Sequence, residues 1–190
     1  TYSSGLVIDP EAGLVAPARQ CPSPNRDDRP QSMQLDLIVV HSISLPPGEF
    51  GGPSIDALFR NRLDSSADPY FREIADLKVS AHCLIRRDGE LVQYVPFHQR
   101  AWHAGVSSFN GRERCNDFSV GIELEGTDSG AFESVQYRVL NALIEALRHT
   151  YPSLTDDPEV GHSNIAHGRK TDPGCGFDWS RVHAIGATDS

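Results

Sequence analysis

A single-domain α/β fold, with a central mixed sheet of about five strands flanked by helices, is the architecture this sequence predicts. Three stretches predict it. Leu35-Asp36-Leu37-Ile38-Val39-Val40 is a short, β-branched apolar run with the length of a buried strand. Phe118 to Glu125 alternates, so Val120, Ile122 and Leu124 share one face while Gly121 and Glu123 share the other. Ser134 to Thr150 carries Val135, Val139, Ala142, Leu143, Ala146 and Leu147 at helical spacing and is stopped by Pro152. A chain of 190 residues has the length of one domain, and such a domain buries roughly 70% of its unfolded surface without needing staples.

In chain order, residues 1–34 are rich in Pro, Arg, Asp and Ser and read as an irregular arm packed on the domain. The main unit spans 35–182. After the strand at 35–40 comes His41, then the break Pro46-Pro47-Gly48. Ser54 to Arg60 suits a short helix opened by Pro53, and Asp68 to Leu77 a longer one with Asp68 as N-cap and Pro69 in its first turn. Asp88-Gly89 between two strand-like runs, 81–87 and 90–96, predicts a hairpin. Ala101-Trp102-His103-Ala104-Gly105 reads as a turn, and the glycines and Pro173 make 161–174 a loop rather than helix or strand. Residues 183–190 read as a tail.

The charge balance, 17 Lys and Arg against 26 Asp and Glu for a net −9, opposes nonspecific nucleic-acid binding and docking on anionic lipid. No run approaches the roughly 18 apolar residues of a membrane span. The first nine residues show neither the basic nor the apolar region of an export signal. Four widely spaced cysteines (Cys21, Cys83, Cys115, Cys175) form no CxxC pair and are read as free thiols. The expectation is therefore a cytoplasmic protein with no nucleic-acid or membrane partner.

Chemistry concentrates in His162-Ser163-Asn164-Ile165-Ala166-His167-Gly168-Arg169-Lys170-Thr171-Asp172. Loops on a rigid scaffold are where metal and catalytic groups collect. Zinc takes imidazole nitrogen and carboxylate oxygen, and a catalytic zinc keeps three protein ligands. His162 and Asp172, joined by His41 from the end of a buried strand, would make such a set. Spacing alone leaves His82, His103 and His167 equally eligible. Glu123 is either a solvated carboxylate on a sheet face or a general base, and Trp102 either core or the wall of a site.

Longer stretches carry a resemblance. Val39 to Gly52, Val79 to Gly89, Ala101 to Ser107, Gly111 to Gly126 and the 162–174 loop are similar, in that order, to the type-2 amidases, the zinc-dependent N-acetylmuramoyl-L-alanine amidases related to peptidoglycan-recognition proteins. The resemblance covers roughly residues 5–182. It implies His41, His162 and Asp172 as zinc ligands and Glu123 and Lys170 as the catalytic pair. It also implies substrate contacts from Ser42, Lys78, Trp102, His103, Arg114 and Arg169, with the two arginines holding carboxylates of the stem peptide. Ser42 departs from the Asn that enterobacterial members carry there, which bears on a sugar-side hydrogen bond. His82 and His167 are left with supporting roles. The implied reaction cuts the amide between an (anhydro-)N-acetylmuramyl sugar and L-alanine in wall recycling, indirectly lowering β-lactamase induction. A monomer acting on muropeptides is expected. Two other readings share the fold: an exported peptidoglycan amidase, and a muropeptide-binding protein without catalysis. A structural or redox metal protein is a third. Loss of a ligand or of the Glu/Lys pair would mark the non-catalytic kind, and all five residues are present.

Overall fold

The computed structural model describes residues 5–154 and 159–182. The tail at 183–190, and part of the lead-in to Gly161, lie outside the described residues.

Twelve strands, four α-helices and two 3-10 turns follow one another along the described chain. The first thirty-odd residues, expected to be irregular, hold β1 (Val7–Asp9), β2 (Leu14–Ala16), β3 (Arg19–Gln20) and β4 (Arg26–Asp28). Prolines cannot donate to a ladder, so these strands are only two or three residues long. Ile8 of β1 and Val15 of β2 are buried in the main core, but in strands of two or three residues one buried position is too little alternation to read in the sequence. The main unit opens with β5 (Leu37–Ile43), α1 (Ser54–Phe59) and α2 (Phe71–Ile74). It continues with β6 (Cys83–Ile85), β7 (Leu91–Gln93), β8 (Gln99–Ala101), β9 (Ser108–Phe109) and β10 (Arg112–Glu113). It closes with β11 (Ser119–Glu125), α3 (Ser134–Thr150), β12 (Val160–Gly161) and α4 (His162–Ile165).

Six of these strands form one mixed sheet in the order β12-β5-β11-β6-β7-β3. β11 runs parallel to both β5 and β6, and β6 and β7 make the antiparallel hairpin that Asp88-Gly89 predicts. Ile38 and Val40 of β5 join Val120, Ile122 and Leu124 of β11 in one buried cluster with Val139, Leu140, Leu143 and Leu147 of α3. Burying each such side chain stabilises the fold by about 1.5–3 kcal/mol. Gln136 ties α3 to the sheet, its amide donating to the carbonyls of Ile85 (3.2 Å) and Glu125 (3.0 Å). The opposite face of β5 packs Leu37 and Val39 against Ala104, Cys115, Phe118 and Ile165. That second face, carried one step further along each strand, holds His41 and Glu123.

Two elements differ from expectation. The helix expected over 68–77 is four residues long. Asp68 accepts the Tyr70 N–H at 2.8 Å, and the N–H groups of Phe71, Arg72 and Glu73 bond three residues back, a tight entry that leaves a single α-helical turn closed by the Ala75 N–H on the Phe71 carbonyl at 2.8 Å. Only Phe71 of this helix is buried, so packing does not extend it. Conversely, the segment expected as continuous loop starts with one helical turn, α4, opened by Asn164 accepting the Gly161 N–H at 2.8 Å. The arm is stitched to the sheet by Arg29, whose guanidinium donates to the carbonyls of Phe97, Asn116, Asp117 and Ser119 at 3.0–3.1 Å.

Candidate metal centre and active site

The site stands where the parallel strands end, the usual crevice of an open α/β sheet. In the β5–β11 ladder His41 lies directly opposite Glu123, so one register places both on one face. β12 pairs with the outer side of β5 and delivers His162, the first residue of α4. The chain then folds back through Gly168, which has φ +73°, and returns Asp172 to the start of α4, where its carbonyl accepts the Ser163 N–H at 3.0 Å.

His41, His162 and Asp172 thereby converge, with one donor atom from each lying within 4.8 Å of the others. Nδ1 of His41 is 3.1 Å from Nδ1 of His162 and 3.1 Å from Asp172 Oδ2, and His162 Nδ1 lies 3.3 Å from the same oxygen. Both histidines are buried. Their outer nitrogens are engaged: His162 Nε2 donates to the Ala104 carbonyl (3.0 Å), and His41 Nε2 meets His103 Nδ1 (2.9 Å). Two imidazole lone pairs and a carboxylate aimed at one point suit a bound cation. The three residues fit a metal ion.

The electrostatics agree. Burial pushes the Asp172 carboxyl up, but hydrogen bonds from His162 and His41 outweigh it and hold it far below the usual carboxylate range. Burial lowers His41, and Asp172 only partly restores it. A carboxylate held as the anion beside a histidine kept from charging suits the ligand set of a cation. Glu123 behaves oppositely. Burial raises it well above the usual range, Asp172 adds to the rise and Lys170 opposes it. Its Oε2 has no hydrogen-bond partner although it is buried.

A cavity of about 600 Å³ opens over this cluster, lined by His41, Glu123, His162, Lys170 and Asp172. One wall is apolar, with Tyr70 just before α2, Ile74 at its end and Leu77 in the turn after it. Ser42 and Trp102 line the same cavity, and Trp102 Nε1 donates to Asp27 at 3.1 Å. A second cavity of about 600 Å³ adjoins it, with Arg169 lining both. Arg114 and His167 stand in the second. Arg169 donates to the carbonyls of Ala104 (2.7 Å) and Val106 (2.8 Å), bracing two loops against each other. Lys78 is exposed and lines neither cavity. His82 is also away from the cluster. It is fully buried, accepts the Gly121 N–H on Nδ1 (3.0 Å) and donates from Nε2 to the Gln99 carbonyl (2.9 Å), while burial and Arg29 lower its pKa to about 3.

Sequence reasoning missed Asp128. It lines the first cavity, accepts from Ser42 Oγ at 2.9 Å with one carboxylate oxygen and from Thr171 Oγ1 with the other. It thus ties the end of β5 to the residue beside Asp172. Its place just after the carboxyl end of β11 was the available signal.

The comparisons fall on the same architecture. The family model described as N-acetylmuramoyl-L-alanine amidase matches residues 31–175. A relative from Salmonella typhimurium, the 1,6-anhydro-N-acetylmuramyl-L-alanine amidase AmpD, is 60% identical over 181 residues, 95% of this chain and 96% of that protein. The crystal structure of a Se-Met AmpD derivative superposes with a TM-score of 0.90 at 60% identity, covering 93% of this chain and 97% of that one. The Escherichia coli amidase AmiD, solved with the substrate anhydro-N-acetylmuramic acid-L-Ala-D-γ-Glu-L-Lys, gives a TM-score of 0.56 at 28% identity over 82% of this chain and 59% of that one. The ligand cluster, its facing carboxylate and these matches together place the chain among the enzymes of the N-acetylmuramoyl-L-alanine amidase family.

Proposed function

We propose that the enzyme hydrolyses the amide between a 1,6-anhydro-N-acetylmuramyl sugar and the L-alanine of its stem peptide, with zinc held by His41, His162 and Asp172. One observation carries the reading: a buried carboxylate with an unpartnered oxygen, Glu123, faces a His/His/Asp cluster at the floor of an open cavity. Zinc is favoured by the donor types and their spacing. A tetrahedral ion with bonds of about 2.0–2.1 Å keeps its ligands about 3.3 Å apart, close to the 3.1–3.3 Å between these atoms. When bound there, zinc supplies Lewis acidity and makes a water molecule acidic near neutral pH.

The protein's own groups do the rest. Glu123 takes the proton of the attacking water at its free oxygen and passes it to the departing alanine nitrogen. The burial that raises its pKa makes it a carrier able to hold that proton between the two transfers. Lys170, on the cavity rim, faces the oxyanion that develops on the carbonyl, where one preorganised charge is worth about 3–4 kcal/mol. Trp102 and the Tyr70–Leu77 wall offer apolar surface to the sugar, with Ser42 beside them. Arg169 and Arg114 offer guanidinium groups to the acidic peptide where the cavities meet. The ligand of the AmiD complex has this composition, an anhydro sugar followed by an acidic peptide.

We take residues 35–182 as the amidase unit with the arm packed on it. We place its action in cytoplasmic wall recycling, as a monomer. The four unpaired cysteines, three of them buried, support a reducing compartment. No described helix is long and apolar enough to cross a membrane. The deciding experiment is incubation with 1,6-anhydro-muramyl-tripeptide, with and without chelator, followed by mass analysis. Release of free tripeptide that stops with chelator is expected; an intact substrate in both arms overturns the reading.

A further inference from the structure

We infer that His103 is a positioning residue for the metal centre: its ring sets the tautomer and orientation of His41. This rests on the reading that His41 is a metal ligand. Sequence reasoning put His103 on the substrate wall. It does line the first cavity, and both of its ring nitrogens are also used inside the protein. Nδ1 lies 2.9 Å from His41 Nε2, and Nε2 lies 3.0 Å from Ser119 Oγ. The two rings meet edge to face, 89° apart with centroids 5.0 Å apart. His41 presents Nδ1 to the cluster, so its Nε2 carries the proton and donates it to His103 Nδ1. His103 must then hold its own proton on Nε2, where the Ser119 hydroxyl accepts it.

The surroundings are built to keep that ring in place. His103 is 8% exposed. Asn116 Oδ1 accepts its backbone N–H at 3.1 Å and that of Ala104 at 2.9 Å. The ring lies on Gly121, in the space a side chain there would occupy, with ring atoms 2.6 Å from where a Cβ would stand. Gly121 sits two residues before Glu123 on the same face of β11, so the strand that carries the carboxylate also clears room for the positioning ring. One loop serves both metal-binding histidines: His103 receives the outer proton of His41, and the neighbouring Ala104 carbonyl receives that of His162.

The test compares His103→Leu, which keeps bulk and loses the acceptor, with His103→Asn, whose side-chain oxygen replaces Nδ1. Zinc affinity is measured by competition with a chromogenic chelator, alongside the visible spectrum of the cobalt-substituted protein. His103→Leu should weaken zinc binding about 10–100-fold and shift the cobalt bands, with His103→Asn within about threefold of the parent. Parental affinity in His103→Leu, or equal weakness in both variants, overturns the inference. Should His103→Leu fail to fold, Ser119→Ala takes its place, with a smaller loss expected and parental affinity overturning. A parent that binds no zinc sinks the ligand reading itself, and that result precedes any variant.

Discussion

Glu123→Gln separates the chemistry of this site from its stability. Gln matches Glu in shape but can neither accept a proton from water nor deliver one. A general base and acid contributes about 10²–10⁴-fold, so kcat should fall at least a hundredfold, about 2.7 kcal/mol of barrier at 1.36 kcal/mol per decade. Zinc content should stay parental, because Glu123 is not one of the three converging donors. The metal-free protein should gain stability instead. Glu123 is 9% exposed, one oxygen is unpartnered, and its folded pKa lies well above the usual 4.5. A carboxyl raised in this way weakens the fold as pH climbs through the window above 4.5, since the unfolded chain releases the proton first. Each pH step inside the window costs up to about 1.4 kcal/mol. At pH 5 variant and parent should therefore melt together, and at pH 8 the variant should melt higher. An advantage of about 1–3 kcal/mol, the scale of an unmet buried polar group, corresponds to roughly 2–4 °C per kcal/mol in a chain of this length. Calorimetry in chelator at both pH values, with kcat measured on the zinc-loaded enzyme, reads both effects. A kcat within threefold of the parent, or a variant less stable at pH 8 than at pH 5 relative to it, refutes the reasoning.

Other perturbations address the ligands and the buried histidine beneath the site. Asp172→Ala removes the only carboxylate of the cluster; elemental analysis after dialysis should show the metal lost, and a full zinc complement would strike Asp172 from the ligand set. His82 is neutral when folded, its pKa lowered to about 3 by burial and by Arg29. The unfolded chain binds that proton from about pH 6.5 downward, so His82 alone should remove up to about 1.4 kcal/mol of stability per pH step as pH falls from 6.5 toward 3. Urea unfolding in chelator should show His82→Gln less stable at pH 7 but with a shallower decline toward pH 4; parallel profiles would count against it.

The fold was legible where side chains alternate or repeat. Val120, Ile122 and Leu124 face the α3 core as their alternation predicts, and α3 spans Ser134–Thr150 as its apolar stripe does. The arm was not legible, because its strands are two or three residues long and what holds them is long-range: Ile8 and Val15 in the main core, ion pairs of Arg19 and Asp27, and Arg29 reaching distant carbonyls. At the site, composition pointed to the 162–172 loop, but five histidines remained interchangeable. What separates them is long-range: the β5–β11 register that sets His41 opposite Glu123, and β12 delivering His162 to the same edge. His82 is four residues from Arg86 and His103 is one from Trp102, yet each turns its ring nitrogens inward for reasons set by strands far along the chain. Only the resemblance to known amidases ranked them at the level of sequence.

The pairing of His41 with Glu123 also governs where this chain tolerates insertion and deletion. β5 and β11 are matched over seven residues, from Leu37–Ser119 to Ile43–Glu125. One residue added inside either strand, ahead of His41 or Glu123, would rotate that side chain through the sheet to the α3 side. Variation in length is therefore barred from both strands, and falls to exposed turns such as 60–69, which lie close to the apolar wall of the first cavity. Lineages, or an engineer, can reshape what the cavity accepts there while His41 and Glu123 stay aligned.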